Sequence, residues 1–265
     1  MTYFLAYPKT SRDDKICNIC QRVVSSLSED HIPPKGVFKP SPMNVWCYPD
    51  SHKEEKHVRH KANNGLVFKT ICKECNSLLG GSYDKHLNNF LTRIQTTLDT
   101  PITLSNPLMV KCNPTGVIKA VMGHLLASKT GFCNTDIDKL TRELIFDESV
   151  VLPPDVHLYY WFYPYDAAII ATDRTVMSGL VDAEAAHFAV LKYYPLAFHL
   201  MYGGSTMSDP RFIDLTQWNH KAITEEVEVP IYFHKVDPLF PEADEYNPVR
   251  FVVEGRTDIL ARHSK

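Results

Sequence analysis

The 265-residue chain has no apolar run of 18 or more residues, and so offers no stretch for a membrane-crossing helix. Its first residues, MTYFLAYPKTSRDD, lack the basic start, apolar stretch and small-residue cleavage site of a secretory leader. Glycine is sparse, at 11 residues, and the 18 prolines follow no period, which excludes collagen-like and low-complexity sequence. No internal repeat is visible. What remains is the profile of a folded protein, expected to be cytoplasmic, with 44% hydrophobic and 22% charged residues. The length suits one large domain or two small ones.

Charge is spread unevenly. Residues 1–99 carry 14 Lys and Arg against 10 Asp and Glu, a net of +4, and the remainder carries 14 against 21, a net of −7. The front is compatible with a polyanionic partner, whereas the acidic rear suits a protein contact or solubility.

The seven cysteines say more. Four form two C-x-x-C pairs, Cys17/Cys20 and Cys72/Cys75. An odd total with no leader fits a reducing compartment, where such pairs bind metal. The two-residue gap lets both sulfurs of one turn face a single ion, and two such knuckles complete a tetrahedral four-cysteine zinc site. A thioredoxin-like redox motif would need a βαβ context that is missing. Cys47, Cys112 and Cys133 read as ordinary thiols.

Along the chain, residues 1–16 read as a lead-in strand or arm, and 21–32 end in Ser28-Glu29-Asp30-His31 before Pro33-Pro34, which fixes an extended path. Residues 35–66 read as loop, and 67–71 alternate as a strand. Leu79, Tyr83, Leu87, Phe90, Leu91, Ile94 and Leu98 have helical spacing, with Gly80-Gly81 as an interruption and Ser82 as the N-cap of the second part. Beyond Pro101, residues 115–130 and 134–146 read as helices. Segments 156–163, 167–177, 187–202, 227–236 and 250–253 read as strands of an antiparallel sheet. The expected class is α+β, with a boundary near residue 100.

Asp30-His31 is the pair that carries chemistry. Histidine is the usual general base near neutral pH, and a carboxylate is a hard-oxygen ligand for Mg²⁺ or Mn²⁺. Neighbouring strand residues point to opposite faces, so one shared site needs a bend. The dipeptide alone equally fits a surface turn.

Asn76, directly after the second knuckle, completes a longer pattern. C-x2-C, then Asp-His, then C-x2-C-Asn resembles the HNH endonucleases, in the branch with a zinc-stapled ββα-metal motif that includes endonuclease VII-type resolvases. Residues 28–35 (SEDHIPPK) and 70–76 (TICKECN) are similar to that family's two blocks, and the likeness covers roughly residues 15–90. It implies an N-terminal ββα-metal domain over 1–100, with His31 as the base that activates water for attack on a phosphodiester. Asp30 and the side-chain oxygen of Asn76 would hold one Mg²⁺ or Mn²⁺, and Cys17, Cys20, Cys72 and Cys75 a structural Zn²⁺. Asn63 or Asn64 would be the middle Asn that orients the histidine, although an Asn-Asn-Gly turn fits equally well. Relatives often carry a second ligand histidine one turn after Asn76, where this chain has Gly80. The 51-residue interval between Cys20 and Cys72 is long for the motif. Residues 39–66 read as an insertion whose His52, His57, His60, Lys53, Lys56, Arg59 and Lys61 either touch phosphates or form a solvated loop.

The expected substrate is DNA, with RNA left open. Residues 101–265 are expected to form an α+β domain for a protein partner, homodimerisation or regulation, as in an effector of bacterial or phage defence. His124, in an apolar helical stretch, reads as a core-edge histidine, and the aromatics around Trp161 as a buried strand. The competing reading is a catalytically silent zinc-stapled module that binds DNA or scaffolds a protein.

Overall fold

The computed structural model describes residues 13–36, 38–47, 60–178, 185–204, 206–207, 209–238, 250–253 and 257–264. Residues 1–12 of the expected lead-in arm, His52, His57, Lys53, Lys56, Arg59 and the Cys47 side chain lie outside what is described. Strand β1 (Ser28–His31) pairs antiparallel with β4 (Val67–Ile71), Asp30 opposite Phe68 and His31 opposite Val67, with a register shift between Ser28 and Asp30. Phe68, Thr70 and Ile71 are buried, so β4 is held from both faces. The chain then turns at Cys72, whose sulfur accepts the Cys75 N–H and so caps helix α1 (Lys73–Leu78).

Gly80-Gly81 does not break the helix, as the sequence had led us to expect. Leu79–Tyr83 form a π-turn that passes directly into α2 (Asp84–Leu98), and Ser82 caps nothing: Tyr83 precedes α2 in helical backbone with no side-chain cap. A π-turn absorbs one extra residue without ending the helix. Here buried Leu79 and Tyr83 anchor it. Leu87, Phe90, Leu91 and Ile94 then form the buried stripe of α2.

Helix α3 (Pro114–Ala127) is capped by Asn113, starts on Pro114 and is buried along its whole length. Glycines let α2 approach it closely. A Cβ on Gly116 would lie 2.4 Å from His86 Cγ, and one on Gly123 would lie 2.7 Å from Leu79 Cδ2. Helix α4 (Asp136–Phe146) opens with a Thr135/Asp138 capping box.

The remaining strands are β2 (Met43–Cys47), β3 (His60–Ala62), β5 (Leu108–Cys112), β6 (Val156–Phe162), β7 (Ala168–Ser178), β8 (Ala185–Tyr193), β9 (Leu196–Tyr202), β10 (Ile213–Asp214), β11 (Val227–Ile231), β12 (Arg250–Val253) and β13 (Thr257–His263). Among the described residues, nine form one antiparallel sheet in the order β10-β6-β9-β8-β7-β13-β2-β3, with β12 also on β7. The molecule is thus α+β with a mainly antiparallel sheet. Side chains alternate across β6: Leu158 and Tyr160 join the core under α3, and Tyr159 and Trp161 join a smaller cluster on the opposite face.

Three sequence expectations change. The segment 35–66 is not all loop, because β2 and β3 enter the sheet through β13. Residues 187–202 are two strands that meet at Tyr194-Pro195. In 227–236 only β11 is strand, and it pairs with β5 away from the main sheet. The larger hydrophobic cluster of the described residues includes side chains from Cys17 to Ala261. No helix among the described residues is long and apolar enough to cross a membrane.

Candidate metal centre and active site

Two turns bring four sulfurs together. The first knuckle closes with the Gln21 N–H donating to the Cys17 carbonyl at 2.9 Å, and Ile16 bridges to Val23 on either side of it. The Cys72 N–H donates to Cys17 Sγ at 3.2 Å, which ties the second knuckle to the first. The sulfurs of Cys17, Cys20, Cys72 and Cys75 all lie within 4.8 Å of one another, and Cys20 and Cys72 are 3.8 Å apart. A disulfide would need about 2.05 Å. A tetrahedral ion with bonds of about 2.3 Å sets its sulfurs about 3.8 Å apart. The group can therefore hold a metal ion such as zinc.

Its protonation points the same way. Hydrogen bonding from Cys75 pulls the Cys17 thiol down to about 4, against the opposing effect of burial. Burial pushes Cys72 up to about 11, and the bond to Cys17 followed by burial raises Cys75. Four thiolates packed this closely require a cation to ionise together.

Residues beyond position 100 hold the cluster in place. Asn18, inside the first knuckle, donates to the carbonyls of Leu126 and Lys129 at 3.1 and 2.9 Å. Thr70 donates to the Ala127 carbonyl, and Arg142 donates from Nε to the Asn18 carbonyl at 2.8 Å. The C-terminal end of α3 is thus bonded to the knuckle and to β4.

Beside this staple lie Asp30 and His31, 5% and 9% exposed. They face different partners, as neighbouring strand residues should. His31 Nε2 lies 3.5 Å from Asn64 Nδ2, and the Asn64 backbone also bonds the imidazole. Asn63 instead bridges to Gly65, whose φ of +72° makes the turn. Of the two asparagines, Asn64 is the one beside the histidine. Burial, then the Lys35 charge, holds His31 below its ordinary 6.5 in spite of Asp30, so it is neutral and able to accept a proton near pH 7.

Asn76 ties the helix to the strand. Its Nδ2 donates to Ser28 Oγ and to the Glu29 carbonyl, both at 2.8 Å. No described residue donates to its Oδ1, which leaves that oxygen available as a ligand.

Asp30 points the other way, toward α3. Its Oδ2 lies 3.6 Å from Nδ1 of His124, which is completely buried, and His124 Nε2 lies 2.8 Å from Asp84 Oδ1. Burial opposes the imidazolium, but Asp84 and then Asp30 outweigh it and push His124 up to about 10. The expectation of a core-edge histidine is therefore corrected: His124 stands between two carboxylates. A lone imidazole in a wholly buried helix must find a partner, and that was the signal in the sequence.

Asp84 reaches this place because of the π-turn. Eight residues after Asn76 it would lie about 80° around a regular helix, but the extra residue in the turn returns it to nearly the same face. Gly80, one turn after Asn76, contributes no ligand, and a Cβ there would lie 3.9 Å from Asp84 Oδ2. Among the described residues, only the cysteines gather three or more His, Cys, Asp or Glu ligand atoms within reach of one another. His60 and Lys61 lie on β3, paired with β2 in the main sheet.

No protein-family model matches the chain, and neither does any curated protein or solved structure.

Proposed function

We propose that the chain is a metal-dependent endonuclease of the HNH type that hydrolyses DNA phosphodiester bonds. The observation that carries this reading is that Asp30 and His31 sit on a strand to which Asn76 of the following helix is bonded, with Asn64 of the preceding turn against His31, beside the four sulfurs. A divalent ion, Mg²⁺ or Mn²⁺, held by Asp30 and Asn76 Oδ1 would neutralise charge building on the scissile phosphate and leaving oxygen. His31, kept neutral by burial, takes the proton of the attacking water. Asn64 fixes the imidazole, and Asn76 fixes the strand that bears it. The sulfur cluster, filled with zinc, does no chemistry and holds the two blocks in register. Lys35, exposed and close enough for His31 to feel its charge, is placed to meet a phosphate.

A second reading is a zinc-stapled DNA-binding or scaffolding module without catalysis. The near-complete burial of Asp30 and His31 favours it. Plasmid cleavage with and without Mn²⁺ separates the two. Metal-dependent nicking is expected, with a loss of about 10²–10⁴-fold in His31→Ala and one zinc per chain retained. Binding of DNA without any product would leave the silent module standing.

A further inference from the structure

His124 on α3 has no part in the proposed mechanism, yet its Nδ1 faces Oδ2 of Asp30 on β1. Asp30 Oδ2 and His124 Nδ1 are both buried, neither has a hydrogen-bond partner, and they face each other at 3.6 Å. That gap is too wide for a hydrogen bond, which needs about 2.7–3.2 Å. The two groups attract each other as an ion pair but close no hydrogen bond. Neighbouring ligands of one ion lie about 3.0 Å apart in an octahedron with bonds of about 2.1 Å, and about 3.4 Å apart in a tetrahedron. Closing by a few tenths of an ångström would put both atoms on a single cation.

The other side of the ring is arranged in the same sense. A metal-bound histidine almost always donates its second ring N–H to a carboxylate, which fixes the tautomer and leaves the lone pair on the metal side. Asp84 Oδ1, at 2.8 Å from Nε2, occupies that position and leaves Nδ1 turned to Asp30. Gly80, one turn after Asn76, brings no side chain, and a Cβ there would lie 3.9 Å from Asp84 Oδ2.

We propose that His124, on a helix outside the knuckle–strand–helix motif, is a ligand through Nδ1 of the divalent cation at Asp30, with Asp84 as its positioning residue. The inference rests on the metal-dependent reading above and names the residue that completes its site. Asn76 Oδ1, water and a substrate phosphate fill the remaining positions. One imidazole among oxygens shifts preference toward Mn²⁺ over Mg²⁺.

The test is Mn²⁺ binding to the full chain with its cysteine site filled by zinc, followed by electron paramagnetic resonance. The expected result is one Mn²⁺ with spin-echo modulation from an imidazole nitrogen, changed by ¹⁵N-histidine labelling. His31→Ala keeps that modulation, and His124→Gln loses it. Asp84→Asn weakens the affinity by about 10–100-fold. Should His124→Gln fail to keep its zinc and fold, the wild-type and His31→Ala spectra together with the Asp84→Asn affinity still decide. Mn²⁺ bound at Asp30 without nitrogen modulation would overturn the role of His124 and leave the nuclease reading intact. A wild-type protein that binds no Mn²⁺ beyond its zinc would overturn both.

Discussion

His31 combines two properties seldom found in one side chain, near-complete burial and contact with an exposed asparagine loop. Burial disfavours the imidazolium, and the Lys35 charge adds to that effect. The sign then follows. The folded value lies below the ordinary 6.5, so the neutral base persists to lower pH than in the unfolded chain. Cleavage is expected to be flat from pH 7 upward and to fall on the acid side with an apparent value below 6.5. A pH profile of kcat/KM at saturating Mn²⁺ checks this, and an acid limb above 6.5 would contradict it. The same depression makes folding less favourable as pH falls from about 6.5 through the lowered value. Asp30 and His31 were legible in the sequence as a dipeptide, but their separate partners were not, because strand alternation sends them to different faces.

Among the elements, the approach of α2 to α3 sets the position of His124. Gly116 and Gly123 are seven residues apart, two turns on one face of α3, and each lies under a side chain of the neighbouring helix or π-turn. Gly116→Ala would gain about 1 kcal/mol of helix propensity. It would also drive a methyl group to 2.4 Å from His86 Cγ and 2.7 Å from His86 Cβ, and overpacking of this kind costs about 1–3 kcal/mol. A net loss of up to about 2 kcal/mol in denaturant unfolding is expected. In a His86→Ala background the same substitution should be neutral or stabilising. In the sequence α2 is announced by its apolar periodicity and α3 by the helical stretch 115–130, while the cap expected at Ser82 does not form. The π-turn was not legible, because two glycines equally permit a break, and packing of Leu79 and Tyr83 decides between them.

For the whole molecule, the decisive fact is that the cysteine cluster is bonded to the second half of the chain. Asn18 joins the first knuckle to the end of α3, Arg142 joins it to α4, and the core is continuous. Removing the metal with a strong chelator, or Cys72→Ser, is therefore expected to destabilise more than the N-terminal segment. Thermal unfolding followed by circular dichroism and by fluorescence should give coincident transitions in both the metal-loaded and the depleted protein, the depleted one at lower temperature. An early transition in one probe alone would show that the knuckle unfolds by itself.

The sequence alone determined the chemistry that is local. Two C-x-x-C turns, an Asp-His before a double proline, an Asn after a knuckle and the apolar stripe of α2 each depend on residues a few positions apart. Tertiary structure decided everything that depends on distance through space. It placed β2 and β3 in the main sheet, put Asn64 beside His31, and set His124 between Asp30 and Asp84. The physical reason is that a buried charge is satisfied by whichever group packing brings near. Nothing in the spacing of Asp30, Asp84 and His124 along the chain records that they meet.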